Sequence, residues 1–291
     1  MDNNWYDYIK LNSHQPWEYA EICANPNLTW DTICENSDID WWEHKAGLYD
    51  QISISANPNI TWDIIQANPD KPWNMYAFCE NLNMTWNIVE ENPEIPWNYE
   101  ILSRNANITW DIIEANPDKS WSYWNISNNP NIAWDIVEAN SDKPWDYSSL
   151  SENPNITWDI VESHPDKPWD YNCLSENPNI TWDIVASNHR KKWCYRHLSI
   201  NPNITWDIVF ANPHKKWSYY HLSENPNITW DIVESNPCKP WNYELLSMNP
   251  NITWDIVDAN PSKPWDYESL SANLMTKHPF FTNKQLSYVL K

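Results

Sequence analysis

Among the residues that could do chemistry, the acids are the most regular. Asp159, Asp183, Asp207 and Asp231 stand 24 residues apart, and Asp63 and Asp111 share their phase. A general acid or base needs one singular environment that shifts its pKa. Carboxylates repeated along a whole chain have no such singularity, so they read as helix-end and solubilising charges. Cys23, Cys34, Cys79, Cys173, Cys194 and Cys238 fall at several phases, without the recurring C-x-x-C steps of a zinc site or a disulfide framework. They are expected to be free thiols. The single glycine, Gly47, excludes a glycine-rich phosphate cradle or calcium nonapeptide. The N-I-T triplets at Asn59, Asn155 and Asn203 match glycosylation acceptors. The opening MDNNWYDYIK lacks the basic-then-apolar pattern of a signal peptide, so these triplets are expected to stay unmodified. No catalytic residue, cofactor or metal is expected, and the chain does not read as an enzyme.

One departure from regularity points to binding. Three positions before a periodic tryptophan the chain reads Asp70, Glu94, Asp118, Asp142, Asp166, and then Arg190, His214, Cys238, Ser262. Two adjacent segments, HRKKW and HKKW, thus exchange an acid for a base. Nearby, a usual glutamate becomes Ala186 and Phe210, and His197 and His221 fall at matching positions. The candidate interaction patch is Arg190, Lys191, Lys192, Arg196, His197, Phe210, His214, Lys215, Lys216 and His221. Its ligand would be an acidic segment, a phosphate group or the acidic flank of a neighbouring molecule. The bland alternative is drift on a solvated face.

Two tryptophan series set the elements that must position this patch. One runs from Trp62 to Trp254 and the other from Trp73 to Trp265, each in steps of 24 residues. A typical unit, NPNITWDIVESHPDKPWDYNCLSE at 153–176, has two related halves. Thr181 suits a helix N-cap, and Pro168 suits a first helical position. Asn-Pro ends the helix before it, and the Asn side chain can bond forward in an Asx turn. Each half therefore predicts a short helix, and the chain an all-α solenoid. A β-solenoid is the alternative, because Ile180, Trp182 and Ile184 alternate. Short helices are not stable alone, so each unit must complete its core on its neighbours. At 8–10 Å per layer, about ten units make a superhelix roughly 100 Å long, whose two ends need caps. The expected organisation is an N-terminal cap over 1–16, the repeats over 17–273 with an eight-residue insertion near 42–53, and a C-terminal cap over 274–291. Strict periodicity assigns the tryptophans to the core, with Trp42 and Trp124 outside both series and freer to be exposed.

Composition narrows the function. The net charge of −22 repels nucleic acid and anionic membranes and favours basic protein partners. No apolar run reaches the ~20 residues that span a bilayer. The chain is expected to be intracellular rather than secreted.

The NPNITWDIV and NPDKPWDY motifs closely resemble a tryptophan-rich repeat of giant DNA viruses of the mimivirus kind, from about Trp17 to Trp265. That resemblance implies a viral protein acting in the host cytoplasm or virion, and it brings no established activity. The unit length and Asn-Pro punctuation also resemble the leucine-rich repeat variant fold, which implies that one helix of each pair is 3₁₀-like. The expected function is a scaffold for protein–protein interaction, with no direct nucleic-acid or membrane binding. The alternatives are an acidic nucleic-acid mimic that binds DNA-binding proteins, and a structural component that associates with itself.

Overall fold

Each unit starts where an Asn-Pro pair stops a helix. Asn177 Oδ1 accepts from the Asn179 amide at 2.8 Å, which closes the expected Asx turn. Four residues after Asn177, extended Thr181 caps the helix Trp182–Ser187, its hydroxyl accepting from Ile184 N–H at 3.5 Å. That helix ends at Asn188, and a tight turn carries the chain into Trp193, whose N–H donates to Lys191 C=O at 2.9 Å.

The second helix begins later than the proline pattern predicts. In the unit before, Pro168 and Trp169 lie outside any helix, and Tyr171–Glu176 is the second helix. Asp170 is its cap and accepts from Asn172 N–H at 2.7 Å. A carboxylate that satisfies a first-turn amide is a stronger helix start than a proline that merely leaves one amide missing.

The computed structural model describes residues 5–39, 41–42 and 54–274. Among them the pattern repeats as twenty-one short α-helices and one 3₁₀ helix, Ile54–Ala56, without strands. The fold is an all-α solenoid, and the β-solenoid alternative does not form. Apart from Ile54–Ala56, the second helices are α rather than 3₁₀. Residues 43–53 and 275–291, to which the sequence assigns most of the insertion and the C-terminal cap, lie outside the described residues.

The centre of the core is aliphatic. Ile156, Leu174, Ile180, Leu198 and Ile204 are fully buried, whereas Trp158, Trp169, Trp182 and Trp206 are half-buried. The tryptophans form a ladder beside that core. Trp158 packs on Trp193 with ring centroids 5.6 Å apart, and Tyr171 meets the same Trp193 edge-on at 5.3 Å. Offset and edge-to-face contacts suit the ring quadrupoles.

A second ladder is polar and buried. Asn177 Nδ2 donates to Ser151 C=O at 2.9 Å and to Asn153 C=O at 3.0 Å in the preceding unit. Ser175 Oγ donates to Tyr171 C=O at 2.6 Å and accepts from Cys194 N–H at 3.0 Å in the following unit. Buried amides and hydroxyls are tolerated because each is paired. Each bond contributes about 0.5–1.5 kcal/mol net.

The asparagine ladder occupies Asn25, Asn57 and then every 24th residue to Asn273, eleven rungs in all. Asn25 does not start an open stack. Its Nδ2 donates to Ser271 C=O and Asn273 C=O, both at 3.0 Å. Glu18 N–H donates to Ser271 Oγ at 3.0 Å, and Trp17 meets Tyr267 edge-on at 5.1 Å. These are the contacts that join neighbouring units elsewhere, so the described units close into a ring. Trp5–Leu11 takes the place of a first helix, with Tyr6 and Ile9 buried where other units carry tryptophan and valine. The roughly 100 Å superhelix with two separate ends, expected from layer spacing, is therefore corrected: curvature brings the first unit onto the last. Second helices lie close to one another while first helices spread apart, so the ring curves around the second helices.

Candidate interaction surface

The exposed positions of the two helices behave differently. After every first-helix tryptophan but Trp86, which Asn87 follows, an exposed aspartate recurs, as in Asp135, Asp159, Asp183 and Asp207. After the second-helix tyrosines the exposed residue varies, through Glu100, Trp124, Ser148, Asn172, Arg196 and Tyr220 to Glu244 and Glu268. Trp124 is 61% exposed and Tyr220 47%. Trp42, by contrast, is half-buried and meets Trp73 edge-on at 5.0 Å.

The structure divides the ten patch residues into three groups. Arg190, Lys191, Lys192, His214, Lys215 and Lys216 lie in two neighbouring loops between first and second helices. Lys191 and Lys215 reach back over the rings of Tyr171 and Tyr195, at 5.7 and 5.1 Å from the centroids. Arg190, Lys192, His214 and Lys216 make no hydrogen bond or ion pair with the described residues. Phe210 stands apart on a first helix, 73% exposed.

Arg196, His197 and His221 form the third group, on second helices, where acids compensate them. His197 Nδ1 pairs with Glu176. Arg196 Nε donates to His221 Nε2 at 2.6 Å, and His221 Nδ1 lies 3.1 Å from Glu224 Oε1. Since Nε2 accepts from a guanidinium, the bonding network assigns the proton to Nδ1, which then donates to Glu224. Glu176 and Glu224 escaped notice in the sequence because acids occur in nearly every unit. Only their distance to the histidines sets them apart.

The six cysteines are free. Burial pushes the Cys173 thiol up to about 12, helped by the neighbouring Glu152 carboxylate. A thiolate is the reactive form, and this environment suppresses it. The described residues contain no group of three or more His, Cys, Asp or Glu placed to hold a metal ion. None of their helices is long and apolar enough to cross a membrane.

No protein-family model matches the chain, and no curated protein or solved structure matches it significantly.

Proposed function

We propose that the ring is a non-enzymatic scaffold that holds a protein partner against its second-helix face and the adjoining loops. The carrying observation is the contrast between helices: the exposed second-helix position runs through Trp124, Ser148, Asn172, Arg196 and Tyr220 between the glutamates Glu100, Glu244 and Glu268, while the first-helix position is aspartate everywhere but Asn87. A surface kept only for solubility has no need of that variety. Exposed Trp124 and Tyr220 are the residue types that anchor interfaces. The likeness of the repeat to giant-virus sequences supports a role in an infected host cell or in the virus particle.

A second reading, an acidic mimic of nucleic acid, draws support from the regular exposed aspartates of the first helices. The test is affinity capture with the wild-type chain beside a Trp124→Ser, Arg196→Ala, Tyr220→Ser variant of unchanged circular dichroism. A protein held by the wild type and lost from the variant supports the scaffold, and equal recovery by both removes it. Recovery of DNA-binding proteins that duplex DNA and salt displace supports the mimic instead. Self-association alone, seen by sedimentation, supports a structural component.

A further inference from the structure

In an ordinary loop a lysine is neutralised by the acid before it. Lys71 lies 3.8 Å from Asp70, Lys119 3.2 Å from Asp118, and Lys143 3.7 Å from Asp142. Arg190 and His214 remove that acid from two adjacent loops, and Lys192 and Lys216 replace the proline that commonly follows. Arg190, Lys191, Lys192, Lys215 and Lys216 thus carry positive charge with no carboxylate in either loop, on a chain of net charge −22.

Ring closure extends this feature. After Arg190 and His214 the same loop position holds Cys238 and Ser262, and then, across the seam, His14. The rest of the ring carries Asp38, Asp70, Glu94, Asp118, Asp142 and Asp166 there. One edge of the ring is therefore divided into an acid-bearing arc and an acid-free arc.

We propose that the acid-free arc, at loops 189–192 and 213–216, docks a carboxylate-rich peptide segment of a partner protein. This rests on the scaffold function above and names the chemistry of the segment. An extended chain advances about 3.3 Å per residue, and packed helical layers repeat every 8–10 Å. A carboxylate at about every third residue can thus face successive loops. Phe210, 73% exposed on the first helix that leads into the second loop, where Glu138, Glu162 and Glu234 stand in other units, adds an apolar side chain four residues before His214. A peptide fits better than nucleic acid. A duplex carries one charge per about 1.7 Å and would run past the arc onto Asp166 and Asp142, where it is repelled.

The test uses the full chain and a fluorescent peptide with glutamate at every third residue and one central leucine, read by anisotropy. Lys192→Glu with Lys216→Glu is the informative variant, because neither side chain has a partner to lose. Lys191 and Lys215 are kept because they cover tyrosine rings. Lys143→Glu, on the acid-bearing arc, is the control. The expected result is salt-sensitive binding to the wild type and the control, weakened roughly tenfold or more in the double variant. Equal binding by the double variant, or tighter binding of a short DNA duplex than of the peptide, overturns the proposal. If the peptide fails to bind while a partner is still captured through Trp124 and Tyr220, the acidic-segment site falls and the scaffold stands.

Discussion

Tyr8 lies flat on Trp254, with ring centroids 4.0 Å apart and planes 9° from parallel, although the two residues sit near opposite ends of the described chain. Its hydroxyl donates to Asp258 Oδ1 at 2.5 Å. Other units carry isoleucine at this helix position, as at Ile160 and Ile184, or threonine at Thr32. The tyrosine therefore serves the seam, where the first unit meets the last. A ring stacked on tryptophan with its hydroxyl bonded to a carboxylate joins apolar and polar attachment in one side chain.

The seam should contribute to stability as an internal junction does. Asn25→Ala leaves the Ser271 and Asn273 carbonyls without their buried donor, and Asn177→Ala does the same to Ser151 and Asn153. Each substitution is expected to cost about 1–3 kcal/mol, read by urea denaturation. If Asn25→Ala proves neutral while Asn177→Ala is costly, the ring is open in solution.

The two classes of tryptophan should separate in the same assay. Trp145 is buried against Trp110 at 5.5 Å, and Trp145→Ala is expected to cost about 3–5 kcal/mol. Trp124 is exposed, and Trp124→Ala should stay within about 0.5 kcal/mol of wild type. A large loss at Trp124 would mean that it is covered in solution.

Alkaline stability should carry the mark of two thiols. Cys23 and Cys79 replace the ladder serine in their units, and burial pushes them up to about 12 and about 11. The folded state thus keeps protons that the unfolded chain releases. The Cys79 contribution is fully present below about pH 9 and is lost as pH rises through about 11, by about 2–3 kcal/mol in all. Cys79→Ser, which restores the usual residue, should flatten stability over that window. A thermal midpoint that falls equally with pH in both proteins would show that the thiol is not the group responsible.

Second-helix charge should be coupled in pairs. Glu224→Gln weakens the acceptor that holds His221 Nδ1, so it should raise the exchange and mobility of the Arg196 side chain, seen by NMR at Arg196 Nε. An unchanged Arg196 signal would show that the contact to His221 does not persist in solution.

Much of this molecule is written locally. The 24-residue period, the Asx turn at Asn177, the cap at Thr181 and the basic loops at 190 and 214 depend on neighbours a few residues apart. Such short-range rules operate on the chain without its fold. Proline points to a second-helix start at 168, whereas the Asp170 cap sets the first helical residue at Tyr171, three residues later. Tertiary structure alone decided the rest. It gave Asn177 a second task across units, bonded His197 and His221 to Glu176 and Glu224, and brought Asn25 to Ser271. Closure depends on a small rotation repeated at every junction. No single residue records that sum, and only the stacked units reveal whether it completes the circle.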